Sequence, residues 1–284
     1  MKKTFLWILA FLITISLAIY QKKTGPTYPV SGHVKIDGVK IDYTFNRSHG
    51  GAGDQEVSIF LEGNKPIEAY LLYKRYRVNE NWTEVKMQKI GKNYTAFLPH
   101  QPPAGKLEYY VKVNIDGKYY SIPAKSVVTR FKGAVPLYIL IPHIIFMFAS
   151  LLLCVRIALA LIFKEPYKNL LYTCVGLFFI GGLVLGPIVQ KYAFGELWTG
   201  IPFGWDLTDN KTLIAFLFWL PALYFIKKEY SKRSVITTVF AIVVMLTAYL
   251  IPHSVWGSEF DYSKNQITTG KKPAVIEPAS GEEK

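Results

Sequence analysis

Cysteine is scarce in this chain. Its 284 residues include two cysteines, Cys154 and Cys174, and both lie inside apolar runs. The sequence therefore contains no extracytoplasmic disulfide framework. It also lacks a Cys-x-x-Cys-His segment, which excludes covalent c-type haem on this chain.

Acidic residues are few as well, with 20 Asp and Glu against 33 Lys and Arg, for a net charge of +13. The basic residues do not form the aromatic-interleaved stripe of single-strand binders, and no nucleic-acid motif occurs, so we expect no nucleic-acid partner. No hydrolytic triad, phosphate loop or paired-carboxylate site is apparent. We therefore expect no substrate turnover by this chain itself.

Apolar residues are abundant, at 51% with a mean hydropathy of +0.20, and they are unevenly distributed. They concentrate at the start and across 135–251, whereas 21–132 is polar and rich in tyrosine. This division predicts a membrane α-helical bundle of about five transmembrane helices with an all-β domain on its outer face.

The first apolar run, 1–20, follows Lys2 and Lys3 and predicts an N-terminal transmembrane anchor, or alternatively a signal peptide cleaved near Ser16-Leu17-Ala18. A four-helix transmembrane domain is expected over 135–253, and 254–284 reads as an outer-face polar tail, disordered near its end. The four later crossings are predicted at 135–163, 169–189, 211–226 and 234–251.

The short loops set the expected orientation. With five crossings, Lys2 and Lys3, the 164–168 turn and the 227–233 turn all fall on one side, and the positive-inside rule makes that side cytoplasmic. The chain is thus predicted to be a multi-pass protein of the cell membrane, in contact with the lipid bilayer, with its β domain and tail extracytoplasmic.

Residues 28–131 show period-two alternation with turns at Asp37-Gly38, Gly91-Lys92 and Asp116-Gly117. About seven strands in about 100 residues predict an immunoglobulin-like or fibronectin-III-like sandwich. Such a module suits docking of a protein partner. Its three histidines show no local ligand spacing and are expected to be surface or turn residues: His33, His49 and His100.

The loop at 191–210 is unusual for a membrane turn because it is rich in aromatics, glycines and acids. Trp198, Phe203 and Trp205 offer flat apolar rings, and the indole N–H groups can still donate a hydrogen bond. Such a shelf suits a large flat ligand.

Two histidines belong to the helical part, and each follows Ile-Pro: His143 near the start of the second helix and His253 just after the fifth. The predicted topology brings both to the outer face, beside the aromatic loop. Imidazole is a common axial ligand of haem iron, so two histidines at matching depth indicate a bis-histidine pocket. The alternative is that each marks the membrane interface and donates to a carbonyl.

This combination resembles the haem-handling proteins of cytochrome c maturation, whose outer-face loop has the form Trp-Gly-x-x-Trp-x-Trp-Asp between two flanking histidines. Phe194-Gly195-Glu-Leu-Trp198 is similar to the first part and Gly204-Trp205-Asp206 to the second. The chain departs from the pattern in having Phe194 in place of the first Trp, an insertion at 199–203, and no sixth helix after His253.

The resemblance implies haem b bound between His143 and His253, with the aromatic loop against the porphyrin. Asp206 is a candidate partner of a ligand histidine or of a group that binds a propionate, and Asp209 is expected to cap the helix that follows. Lys211 is a candidate propionate partner. The full set of candidate haem-binding residues is His143, His253, Trp198, Phe203, Trp205, Asp206, Lys211 and Trp256.

Three functions remain open from the sequence. The first is haem handling in cytochrome assembly, and the second is a haem b electron-transfer subunit of a respiratory complex. In both, the outer β domain would dock a cytochrome or a subunit of a respiratory or assembly complex. The third is a membrane scaffold or assembly protein without a cofactor, in which the aromatic loop is an interfacial anchor.

Overall fold

The structure, a computed structural model, describes residues 2–63, 65–252 and 257–268. Two compact units make up the chain: a helical unit of Met1–Pro26 with Val135–Gly257, and a β unit of Thr27–Ala134 with Ser258–Lys284. Each is described by itself below.

The helical unit contains five helices within the described residues. One of them, Lys168–Phe194, is continuous but passes through a π-helical segment between two α-helical parts. The elements are α1 (Lys2–Thr24), α2 (Leu137–Phe163), α3 (Lys168–Phe178), the π segment (Phe179–Leu185), α4 (Gly186–Phe194), α5 (Leu207–Phe225) and α6 (Lys232–Leu250).

Four of these helices are long and apolar enough to cross a membrane, among the residues the structure describes: Lys2–Thr24, Leu137–Phe163, Lys168–Phe194 and Lys232–Leu250. The remaining helix, α5, which is the fourth along the chain, is not among them. Its first turns carry Asp209, Asn210 and Lys211, which dilute its apolar character.

Contacts between helices show which ends lie together. His143 of α2 contacts Gly181, and Ser150, further along α2, accepts from Cys174, so α2 and α3 are antiparallel. Gln21, near the end of α1, donates to Tyr249 near the end of α6. The start of α2 and the ends of α1, α4 and α6 therefore share one end of the helical unit.

Close packing at this end depends on the π segment. A Cβ added at Gly181 would lie 3.0 Å from Phe146 Cβ, and one added at Gly182 would lie 2.9 Å from Thr212 Cγ2. Small residues let helix backbones approach closely in membranes. The glycines thus allow the π segment to pack closely against α2 and α5.

The β unit holds two five-stranded sheets, in the orders β1-β2-β4-β8-β7 and β3-β10-β9-β5-β6, and a separate two-stranded hairpin, β11-β12. The strands are β1 (Val30–Ile36), β2 (Val39–Phe45), β3 (Ser48–Gly50), β4 (Gln55–Glu62), β5 (Ile67–Arg75), β6 (Thr83–Lys86), β7 (Gln88–Ile90), β8 (Asn93–Leu98), β9 (Lys106–Ile115), β10 (Lys118–Lys132), β11 (Glu259–Asp261) and β12 (Gln266–Thr268).

One hydrophobic core joins the two large sheets, with Ile41 and Ile59 from one sheet packed in the same cluster as Leu71 and Val111 from the other. Period-two alternation puts these side chains on inward faces. The three turns predicted from glycine pairs occur, between β1 and β2, β7 and β8, and β9 and β10. Between β6 and β7 the chain changes sheets at the buried Met87.

The described part of the C-terminal segment, 257–268, forms β11-β12 and packs on the rest of the β unit. Glu259 accepts from both Lys106 and Arg77, and Phe260 N donates to Ala104 O at 3.2 Å. Tyr262 donates to Gln101 at 3.0 Å. The sequence predicts this stretch as part of the outer-face tail and not as strands, because three-residue strands carry too short a periodic signal. Residues 269–284, where disorder was expected, lie outside the described residues.

Candidate functional site

The aromatic loop is fixed by the first turn of α5. Asp206 is the N-cap, and its carboxylate accepts from Thr208 N at 2.8 Å and Asp209 N at 3.4 Å. Asp209 instead accepts from Thr199 N at 2.6 Å. Capping was expected from Asp209, so the structure reverses that expectation: Asp206 precedes the helix and has the non-helical backbone that a cap requires.

The neighbouring loop contacts are also structural. Asn210 Oδ1 accepts from Ile201 N at 2.7 Å, and Gln190 of α4 donates to Thr199 Oγ1 at 2.5 Å. These bonds tie the loop to both helices that flank it. Its backbone is therefore held rigidly at the shared end of the helical unit.

Lys211 is buried, and its Nζ donates to the carbonyl oxygen of Ile251, just after α6. A buried ammonium is costly without a partner, and a carbonyl oxygen supplies one. Lys211 therefore joins the start of α5 to the end of α6. Its suggested pairing with a propionate remains a prediction.

A small cleft, open to its surroundings, lies beside Lys211. Residues from α1, α2, α3, α5 and α6 all contribute to its walls. The lining residues are Gln21, Met147, Phe178, Lys211, Thr212, Ala248 and Tyr249.

Two rings of the proposed shelf are exposed: Phe203 at 80% and Trp205 at 71%. Trp198 is half-buried, and its indole N–H donates to Ile201 O at 3.0 Å. Trp198 thus helps to shape the loop, whereas Phe203 and Trp205 present apolar surface to their surroundings.

His143 is half-buried on the second turn of α2, directly after Pro142. Its Nδ1 lies 2.9 Å from Gly181 O in the π segment. A carbonyl oxygen can only accept, so Nδ1 carries the proton and Nε2 bears the lone pair. Metal-bound histidines commonly use this arrangement, in which one ring nitrogen donates to a backbone carbonyl and the other coordinates.

Tyr249 of α6 donates to Met147 O of α2 at 2.6 Å. Met147 lies four residues after His143, on the same face of α2. This contact sets the distance between α2 and α6 one turn after His143 along α2.

His253 and Trp256 lie outside the described residues, so the other half of the predicted ligand pair is not described. Among the residues that are, no group of three or more His, Cys, Asp or Glu side chains is assembled to hold a metal ion. A bis-histidine haem site requires only two such side chains.

The chain matches no protein-family model, and no curated protein matches it. Among solved structures it is similar to one described as "Crystal structure of Br derivative BhCBM56", with 16% identity and a TM-score of 0.23. That alignment covers 38% of this chain and 95% of the other. A similarity of this size supports no inference about fold or ligand.

Proposed function

We propose that this chain is a multi-pass membrane protein that binds one haem b near the outer membrane face, with His143 and His253 as axial ligands, and that it handles haem during cytochrome assembly. The orientation of His143 carries the proposal. Its Nδ1 is engaged by Gly181 O, which leaves Nε2 for coordination.

The contact between α2 and α6 supports a shared site. His143 lies one turn before Met147, and His253 follows Tyr249 by four residues, so both histidines are close in sequence to the hydrogen bond that joins α2 and α6. Bound haem b would supply one-electron redox chemistry at this end of the helical unit.

The aromatic loop would complete the pocket. Phe203 and Trp205, already exposed and held on a rigid backbone, would lie against the porphyrin with Trp198 and Trp256 nearby. Lys211 would attract a propionate, and its ammonium would then be shared between that carboxylate and Ile251 O.

The proposal includes five crossings, with α5 as the fourth, and cytoplasmic basic turns. It also includes an immunoglobulin-like fold for the β unit. The order β2-β4-β8-β7 corresponds to strands A-B-E-D of that fold, and β10-β9-β5-β6 corresponds to G-F-C with an added edge strand. An outer domain of this kind would dock the cytochrome or assembly partner.

The test is the visible spectrum of the protein purified in detergent from haem-replete cells. A Soret band is expected, and His143→Ala and His253→Ala should each alter it. The control is His33→Ala, since His33 is exposed on β1 of the other unit. Absence of a Soret band in the wild type, or unchanged spectra in both ligand variants, would overturn the haem proposal.

Haem handling predicts a further result. Haem should leave the purified protein when an apocytochrome acceptor is added, and the absorbance should move to the acceptor. Haem that stays bound and is reversibly reduced would instead favour the electron-transfer subunit.

One observation favours a scaffold without a cofactor. The loop's polar side chains are used internally, since Asp206, Asp209 and Asn210 all accept from backbone N–H groups of the same region. Under this proposal Phe203 and Trp205 anchor the loop at the membrane interface. A cofactor-free wild type whose stability in lipid nanodiscs falls on Trp205→Ser, but not on Glu196→Ser in the same loop, would support it.

A further inference from the structure

Basic side chains gather at the end of the helical unit that lies away from the aromatic loop. This end is formed by the start of α1, the end of α2, the start of α3 and the turn from α5 to α6. We call it the basic end, and its basic residues are Lys2, Lys3, Lys164, Lys168, Lys227, Lys228, Lys232 and Arg233.

Side-chain contacts hold these segments together. Tyr230, in the turn between α5 and α6, donates its hydroxyl to Glu165 O at 2.5 Å, with Ala160 O 3.2 Å away. Lys2 of α1 lies over the ring of Phe163 at the end of α2, with Nζ 5.4 Å from the ring centroid. The start of α1 and the turn between α5 and α6 therefore both lie beside the end of α2.

Both acidic residues of the basic end are used inside the protein. Glu229 accepts from the backbone N–H groups of Tyr167 and of Lys168, the latter at 2.9 Å, which ties the turn to the start of α3. Glu165 pairs with the buried guanidinium of Arg156. Neither carboxylate is therefore free to neutralise the lysines around it.

The lysines of this surface lack partners. Four are exposed, and none of the four side chains forms an ion pair or a hydrogen bond with another residue that the structure describes: Lys164, Lys227, Lys228 and Lys232. Like charges held this close together repel one another, and the repulsion is strongest at low salt. Binding of an anion to the basic end would relieve it.

Apolar side chains adjoin the charges. Ile162 is 70% exposed two residues before Lys164, and Tyr224 is 68% exposed three residues before Lys227. Tyrosine is common where a membrane helix meets the headgroups. A phospholipid matches both features, because its headgroup can contact the ammonium groups while its acyl chains contact the apolar side chains. A soluble polyanion would match only the charges.

We propose that the basic end binds the headgroups of anionic phospholipids, with Lys164, Lys227, Lys228 and Lys232 as the main contacts. Clusters of roughly four to eight Lys or Arg beside a membrane helix are typical of anionic-lipid recognition. Each such residue strengthens association with an anionic surface by about fivefold. The proposal rests on the proposed membrane crossings and is independent of haem.

The experiment reconstitutes the full-length protein into vesicles of phosphatidylcholine with a minority of phosphatidylglycerol. Spin-labelled versions of the two lipids are compared by electron paramagnetic resonance, in which lipid held at the protein gives a motionally restricted component. The wild type should prefer the anionic label by about fivefold or more at low salt. That preference should fall at about 1 M salt, where charges are screened within about 3 Å. Equal binding of the two labels by the wild type would overturn the proposal.

The key variant replaces the four main contact residues with glutamine, and its preference for the anionic label should fall to near equality. The matched control removes the same charge from the β unit, again by replacement with glutamine, at the exposed residues Lys35, Lys89, Lys118 and Lys125. The control should keep the preference of the wild type. An equal loss in both variants would show an effect of net charge alone and would overturn the proposal.

Two further arms separate the proposal from its alternatives. Replacing the four main contact residues with arginine keeps the charge, so the preference should remain; its loss would contradict a charge-based contact. Soluble glycerol phosphate at matched ionic strength should not displace the anionic label, and displacement would indicate a site for free phosphate instead.

The visible spectrum of the same samples distinguishes this proposal from the haem proposal. A normal Soret band with equal lipid labels would overturn the lipid proposal alone. A retained lipid preference without a Soret band would support it while removing the haem site.

Discussion

Both units of the molecule hold an imidazole with the carbonyl oxygen of a glycine, but they present that carbonyl differently. In the helical unit, Gly181 lies in a π segment packed tightly against α2, and its oxygen meets His143. In the β unit, Gly53 lies in an exposed loop with a positive φ, and its oxygen meets His49 and His100. Close packing fixes the first arrangement, and backbone torsion fixes the second.

The difference indicates how each site should tolerate change. A side chain added at Gly181 would collide with a neighbouring helix, whereas one added at Gly53 would meet nothing within 4 Å. The stability of the helical site should therefore depend on the volume of the side chain at position 181. The stability of the β site should depend only on backbone strain at position 53.

The largest effect is expected from Gly181→Ala. The new Cβ would lie 3.0 Å from Phe146 Cβ and 3.2 Å from Met147 N, so α2 and the π segment must separate. Overpacking of this kind costs about 1–3 kcal/mol. We expect a lower melting temperature in detergent and, if haem is present, a shifted Soret band.

Gly176→Ala is the control for that prediction. Gly176 lies in α3 of the same helix, and an added Cβ would meet nothing within 4 Å. Replacing a helical glycine without a clash should stabilise by about 0.5–1 kcal/mol. Equal destabilisation by both variants would contradict the view that volume decides the outcome.

A somewhat smaller loss is expected from Asp206→Ala. The change removes the N-cap of α5 and leaves two backbone N–H groups without their acceptor, at a cost of about 0.5–2 kcal/mol. Thermal unfolding of purified protein would measure it, with exposed Glu196→Ala in the same loop as the comparison. A melting temperature unchanged from that of the Glu196 variant would argue against the capping role.

Gly53→Ala should cost about 1–2 kcal/mol, because a non-glycine residue is strained at a φ of +100°. The effect should appear as a lower melting temperature. Gly50→Ala is the matched control: it lacks a positive φ, and its Cβ would meet only the flexible side chain of Lys132. If Gly50→Ala lowered the melting temperature equally, torsion at Gly53 would not be the cause.

The smallest effect is a dependence of stability on pH, which arises from Tyr262 on the hairpin and is absent near neutral pH. Burial raises the pKa of Tyr262 to about 12, against about 10 in an unfolded chain. Because its pKa is raised in the folded state, protonated Tyr262 makes its full contribution to the free energy of unfolding below pH 10. That contribution is lost as the pH rises toward 12. Burial also raises the pKa of Tyr109, so tyrosinate absorbance should show a late phase from several tyrosines, and Tyr262→Phe should reduce its amplitude by one group. An unchanged late phase in Tyr262→Phe would contradict the buried contact.

Much of the architecture was accessible from sequence because its signals are local. Apolar runs located the helices, and Asp37-Gly38 and Asp116-Gly117 located hairpins, where Asp37 and Asp116 adopt positive φ as such turns require. The sequence predicts 207–210 as the end of the aromatic loop and a crossing that begins at Lys211, whereas α5 begins at Leu207. The buried bonds of Asp209 to Thr199 and of Lys211 to Ile251 depend on tertiary contacts that no local pattern reveals.

The sites were less accessible from sequence because their contacts are not local. The sequence identifies His143 as a candidate but not its partner, Gly181 O. A π-helical segment has no recognisable sequence pattern, so the position of that carbonyl could not be predicted. The pairing of His49 with His100 required the register of β3 with β10 and of β4 with β8. Non-local pairing of this kind is set by the whole fold.

The π segment also sets the rotational phase of the helix that follows it. In a regular α-helix successive residues turn by about 100°, so one extra residue in a widened turn rotates everything beyond it by that angle. Gln190 reaches Thr199 from α4 only in the present phase. Deleting one residue within 179–185 would rotate Gln190 away from Thr199 and detach the loop that carries Trp205 from α4, while Asp209 and Asn210 would still hold that loop to α5.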